Sequence, residues 1–270
     1  MLASMRVFWA ILIGALAILP DPAAAQHFAP HRALYEMSLH GTGRDSSIMS
    51  VDGEMAIDWT ETCEGWALEH RSSFDIGVGG EQSVRLSTHV ATWEARDGLS
   101  YRFNVRNVER DGSEERIEGS AKLDGKGKGG TVRYTKPDSK TVTLPVGTIF
   151  PTAHSDEVLD RAGDATASFK RIVFDGLSAD GLFDVSAVIG APYPKSEPKR
   201  DGEKPVAGLR SWPTHIAFYR YGSADAAPDN EVSFRMYDNG VADEMIIDFG
   251  QFKVLAVLKA LELAPRPTCK

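Results

Sequence analysis

Turn dipeptides recur along this chain, and between them apolar and polar residues alternate. Asp-Gly occurs at 52–53, 97–98, 111–112, 124–125, 175–176, 180–181 and 201–202, and Asn-Gly at 239–240. These pairs tolerate the positive φ that tight hairpin turns require. The runs between them have a period of two: Ala33, Tyr35, Met37, Leu39; then Met55, Ile57, Trp59; then Trp66, Leu68 with Phe74, Ile76, Val78; then Val84, Leu86, Val90; then Tyr101, Phe103, Val105. Such a period buries one face of a strand and wets the other. Short turns between successive strands make an antiparallel meander, not a parallel α/β sheet. A flat open sheet of about ten strands or more is unusual, so the ribbon must curl or close, which also hides its edges. The expected fold is mainly β: one large antiparallel meander curled into an open, barrel-like sheet.

One helix interrupts the pattern, near residues 152–163. Thr152 or Ser155 is the expected N-cap, with Asp156 and Glu157 in the first turn, where the helix dipole favours acids. Val158, Leu159 and Ala162 make its apolar stripe, and Gly163 is placed just past its end. Strands are expected on both sides, over about 32–150 and 168–264. Pro192 to Arg210 carries four prolines among charges and reads as an exposed loop. Phe252–Leu263 is compatible with a helix, but Gly250 before it and the β context favour a strand.

The first residues read as an export signal. Met5-Arg6 is followed by an apolar run from Val7 to Leu19, then Pro20, Pro22 and Ala23-Ala24-Ala25. The run falls short of the roughly 20 residues that span a bilayer. Cleavage after Ala25 leaves one domain, 26–270, in the periplasm and not membrane-spanning. The net charge is −8, and no basic cluster with interleaved aromatics appears, which argues against nucleic acid as a partner. In an oxidising compartment the only two cysteines, Cys63 and Cys269, are expected to be bridged. Two free thiols remain the alternative. The spacing does not suit a redox pair, and two thiols alone make no zinc site.

Local motifs favour no chemistry. Gly125–Gly130 satisfies G-x-G-x-x-G, but Thr131–Tyr134 after it reads as a strand where a dinucleotide site needs a helix. Asp248-Phe249-Gly250 lacks any accompanying kinase sequence. His154, Asp156 and Glu157 do not share one helix face, so no metal and no cofactor is expected there. Trp59, Trp66, Trp93 and Trp212 fall on strands and are expected in the core. No catalytic residue stands out. Phe150, entering the helix, is expected to act as a hydrophobic staple or to help the helix plug an opening in the sheet.

Several segments in order carry a resemblance: Leu34–Leu39, Cys63-Glu64-Gly65-Trp66, Trp93-Glu94 with Asp97-Gly98, Leu144–His154, Val173–Gly176, and a lone cysteine near the C terminus. Over the whole mature chain the sequence resembles the cell-envelope integrity protein EipB family of alphaproteobacteria, a domain of unknown function. The resemblance implies a spiral-like open β-barrel with one central α-helix, and one internal disulfide whose cysteines match Cys63 and Cys269. It implies a non-enzymatic periplasmic protein supporting envelope integrity. The partner expected is another envelope protein, or a lipid or lipoprotein, with the ligand-binding residues unassigned. The alternative is a secreted hydrolase with a site built from scattered polar residues.

Overall fold

The computed structural model describes residues 28–269, apart from 45, 80–81, 109–110, 164–166, 179–180 and 196. The segment 1–25, read from the sequence as an export signal, lies outside these residues. Nine strands precede the helix: β1 (His31–Thr42), β2 (Ile48–Glu61), β3 (Gly65–Val78), β4 (Gln82–Ala95), β5 (Ser100–Val108), β6 (Glu114–Leu123), β7 (Gly130–Lys136), β8 (Lys140–Leu144) and β9 (Thr148–Ile149). Then come α1 (Pro151–Arg161) and β10 (Ala167–Phe174), β11 (Leu182–Ile189), β12 (Ser211–Arg220), β13 (Asn230–Tyr237), β14 (Ala242–Asp248) and β15 (Phe252–Leu263). All fifteen strands form one sheet, ordered β8-β7-β6-β5-β4-β3-β2-β1-β15-β14-β13-β12-β11-β10-β9. The sheet curls into a nearly closed barrel with one seam, between β8 and β9. The ambiguous C-terminal segment is a strand and pairs with β1 along its length.

Alternation places the core. Ala33, Tyr35 and Met37 on β1 are buried, while Arg32, Glu36 and Ser38 on its other face are exposed. Tyr101, Phe103 and Val105 on β5 follow the same rule. Aromatic side chains, not backbone pairing, join the two halves across the seam. Phe174 on β10 packs on Tyr101, Phe103 and Tyr134 with ring centroids 6.3, 5.6 and 6.4 Å apart. The Tyr101 hydroxyl donates to the carbonyl of Asp175 at 2.8 Å. Gly176 adopts φ 67°, and a Cβ there would lie 2.6 Å from the Phe103 ring, so this crossing needs glycine.

Four expectations are corrected. The helix begins at Pro151 with Phe150 as N-cap, and neither Thr152 nor Ser155 caps it. Proline at the first helical position supplies a preset φ and no N–H to satisfy, which fixes the start earlier than the hydroxyls suggested. Consequently Asp156 and Glu157 lie beyond the first turn. Residues 192–210 are not simply an exposed loop: a 3-10 turn at Asp201–Val206 docks on β15, with Val206 at 1% exposure. Arg200 in this segment pairs at 2.7 Å with Asp243, which is fully buried and also accepts the Leu258 N–H at 2.7 Å. Trp66 and Trp212 are buried, but Trp93 points to the outer face, where Arg102 stacks 4.8 Å from its ring.

Gly125–Gly130 is the β6–β7 hairpin, and Asp248 ends β14. Phe150 is fully buried and stacks on Tyr101 at 5.1 Å.

Candidate functional site

The apolar stripe of α1 faces β10 and β11, so its N terminus is carried to one end of the barrel. Val158, Leu159 and Ala162 pack with Ala187, Ile189, Trp212 and Met236. Beside that N terminus lies a cleft of about 760 Å³. It is bounded by the β4–β5 turn, the β6–β7 hairpin, β9, the helix and the C-terminal tail.

Glu94, on β4, stands at the back of the cleft and is 3% exposed. Its Oε2 accepts the N–H of Thr152 at 2.7 Å, and its Oε1 accepts that of Ala153 at 3.0 Å. Two of the helix's first N–H groups, which have no partner inside the helix, are thus satisfied by a strand 58 residues earlier. Burial pushes the carboxyl up to about 7, against the lowering effect of those N–H groups. The close approach depends on Gly65, opposite on β3: a Cβ there would sit 2.0 Å from the Glu94 carbonyl oxygen.

The outer wall is built from charges around the cysteines. Arg96 donates to Glu61 at 2.9 Å and to the carbonyls of Thr62 and Cys63 at 2.7 and 3.2 Å. Arg266 in the tail donates to the same Glu61 at 2.7 Å and to the carbonyl of Phe28 at 2.7 Å. A disulfide joins Cys63 to Cys269, with Cα atoms 5.5 Å apart. It ties the β2–β3 turn to the tail after β15, across β1. Phe28 also lines the cleft and packs on Trp59 and Trp66, at 4.2 and 6.1 Å between centroids.

The lining is acidic. Asp97, Asp156, Glu157 and Asp160 join Glu61 and Glu94, against Arg96, Lys126 and Arg266. Glu157 is held by Arg161 and Arg171 on the flank. His154 is buried, its imidazole is pushed down to about 4 by burial, and it packs 5.7 Å from the Phe169 ring. Among the described residues no group of three His, Cys, Asp or Glu could hold a metal ion. The cleft hydroxyls are engaged: Thr148 donates to the Pro145 carbonyl at 2.8 Å, and Thr152 bonds the Glu94 carboxyl. No local motif marks Glu94 and its helix contact, although Trp93-Glu94 is among the segments that carry the resemblance, and none marks Asp175, whose carboxyl is pushed up to about 7 by burial beside the seam.

A nearly closed barrel, antiparallel except where β9 runs parallel to β10, packed around one helix and open at a single seam, defines the class. The chain belongs to the EipB-like family, which it matches over residues 22–265. It is 29% identical to the cell envelope integrity protein EipB of Brucella abortus (strain 2308), over 94% of this chain and 90% of that protein. It also superposes on the crystal structure of a beta-barrel-like protein of a domain of unknown function from Brucella abortus. That match has a TM-score of 0.80 and 25% identity, and covers 88% of this chain and 99% of the other. Among the described residues no helix is long and apolar enough to cross a membrane.

Proposed function

We propose that this protein supports the integrity of the cell envelope from the periplasm, as a non-enzymatic module that holds a partner protein at the seam end of its barrel. The name of the Brucella relative supports the envelope role. The cleft at the helix N terminus carries the binding part of the proposal. Segments that carry the resemblance converge on it: Cys63–Trp66, Trp93-Glu94 and Thr148–Ala153. Its acidic lining suits a polar, cation-bearing protein surface better than an acyl chain. Glu94, although perturbed as an acid–base group would be, has both oxygens committed to the helix N–H groups, so it serves as a cap and not as a base.

The test is a cleft variant in cells deleted for the endogenous gene. Asp97→Asn, which keeps the side-chain oxygen that accepts the Leu99 N–H, with Asp160→Arg leaves the melting temperature unchanged and sensitises the envelope to detergent. A photo-cross-linker at position 97 captures an envelope protein, and capture is lost in a version also carrying Asp160→Arg. Full envelope protection by the double variant would sink the proposal.

A further inference from the structure

The protein carries a net charge of −8, yet one stretch reverses the sign. Between Lys122 and Lys140, six cations (Lys122, Lys126, Lys128, Arg133, Lys136 and Lys140) stand against Asp124 and Asp138, a net of +4. Among the described residues, none of Lys122, Lys126, Lys128, Arg133 and Lys136 meets a carboxylate within ion-pairing distance, and all five are exposed. This basic surface lies on β7, the β6–β7 hairpin and the end of β6 at Lys122; Glu118, earlier on β6, stands opposite Lys136 in register. The basic surface borders β8, the last strand on its side of the sheet.

β8 pairs with β7 on one side. Across the seam stands β9, two residues long and itself paired with β10. Val142 shows the consequence. It pairs with the fully buried Val132, and so faces the core side, yet it is 40% exposed because no strand lies beyond it. Val146, in the turn that leaves β8, is 76% exposed. An open edge offers a row of backbone donors and acceptors to an added strand. Pro137 and Pro145 bound this edge, which keeps it too short for sheet-to-sheet association between copies, while lysines beside it disfavour a second like-charged edge.

We propose that β8 is the docking edge for an extended, acidic segment of a partner protein, added as a further strand at the seam. An alternating segment fits both faces: its apolar side chains cover Val142, and its carboxylates lie next to Thr141 and Thr143 on the outer face, one strand away from Arg133, where long side chains and the basic field of β7 attract them. This rests on the reading that the protein acts by holding a partner, and it adds a second contact, apart from the acidic cleft, made by an acidic stretch of that partner.

The probe is a short fluorescein-labelled peptide alternating valine and glutamate, with a valine–lysine peptide as control. Anisotropy titration of the full chain shows binding of the glutamate peptide that weakens with salt. The double variant Arg133→Glu, Lys136→Glu, with an unchanged melting temperature, loses at least about tenfold in affinity. Hydrogen exchange slows at residues 140–144 when the glutamate peptide is bound. Equal binding of the two peptides, or binding without protection of 140–144, overturns the proposal. If the peptide fails while cross-linking from position 97 still captures a partner, the edge assignment falls and the cleft reading stands.

Discussion

Replacing Glu94 by glutamine should flatten part of the pH dependence of stability. Burial raises the folded-state value of this carboxyl from 4.5 to about 7, so the folded protein holds the proton more tightly than the unfolded chain. Its contribution to stability is therefore complete below about pH 4.5 and is lost as the pH rises through about 7. That interval corresponds to about 3 kcal/mol. The total profile mixes several groups. Asp175 acts in the same direction, while His154, lowered to about 4, contributes stability above its ordinary value of 6.5 that is lost as the pH falls toward about 4. The difference between wild type and Glu94→Gln isolates one group. Near pH 5 the variant mimics the protonated acid and should lose at most about 1 kcal/mol, for one N–H left with a poorer acceptor. Between pH 5 and pH 8 the gap should move by about 2.5 kcal/mol in favour of the variant, because part of the interval lies below pH 5. At about 2–4 °C per kcal/mol for a domain of this size, that is a relative shift of about 5–10 °C. Thermal unfolding followed by near-UV circular dichroism across this range measures it. Parallel curves would refute the burial argument. A gap moving the other way would mean that the helix N–H groups stabilise the carboxylate more than burial penalises it.

Three further outcomes are expected. Cys63→Ser opens a loop spanning 206 positions and should cost up to about 5 kcal/mol by chain entropy, read as a lower melting temperature and reduced abundance; equal melting temperatures would contradict it. Gly65→Ala pushes a methyl against the Glu94 carbonyl and should destabilise by about 1–3 kcal/mol, whereas Gly41→Ala, with nothing within 4 Å of its Cβ, should be nearly neutral; urea midpoints that rank them the other way would show that the strands yield freely. Removing the carboxylate in Asp243→Ala leaves the buried Leu258 N–H without its acceptor, while Arg200 keeps Glu203, and should cost about 1–3 kcal/mol, checked by urea unfolding at pH 7.

Much of the architecture was legible because side-chain period and turn chemistry are local. Tyr35, Tyr101 and Phe103 announce an inward face by their spacing alone, and Gly250 marks the start of the last strand. What was not legible depends on distant contacts. The helix cap comes from Glu94, which no local capping pattern reveals. Docking of 192–210 depends on Arg200 reaching Asp243, 43 residues away, so a proline-rich charged stretch looked like loop. The outward turn of Trp93 follows from the phase of β4, in which Val90 and Glu94 take the buried positions. The docking edge was hidden for the same reason: alternation says that strands pair in order, but not where the ring of pairings is left open.

The strand order has one more consequence. β1 and β15 are neighbours, and the two open edges belong to β8 and β9, which follow one another along the chain. Spatial order is therefore chain order rotated. Were the tail after Leu263 joined to the residues before His31 and the backbone cut at the exposed Val146, each strand would be followed in sequence by its neighbour in space. A circular permutant opened there should keep every pairing of the parent sheet, with new termini that lie on either side of the seam.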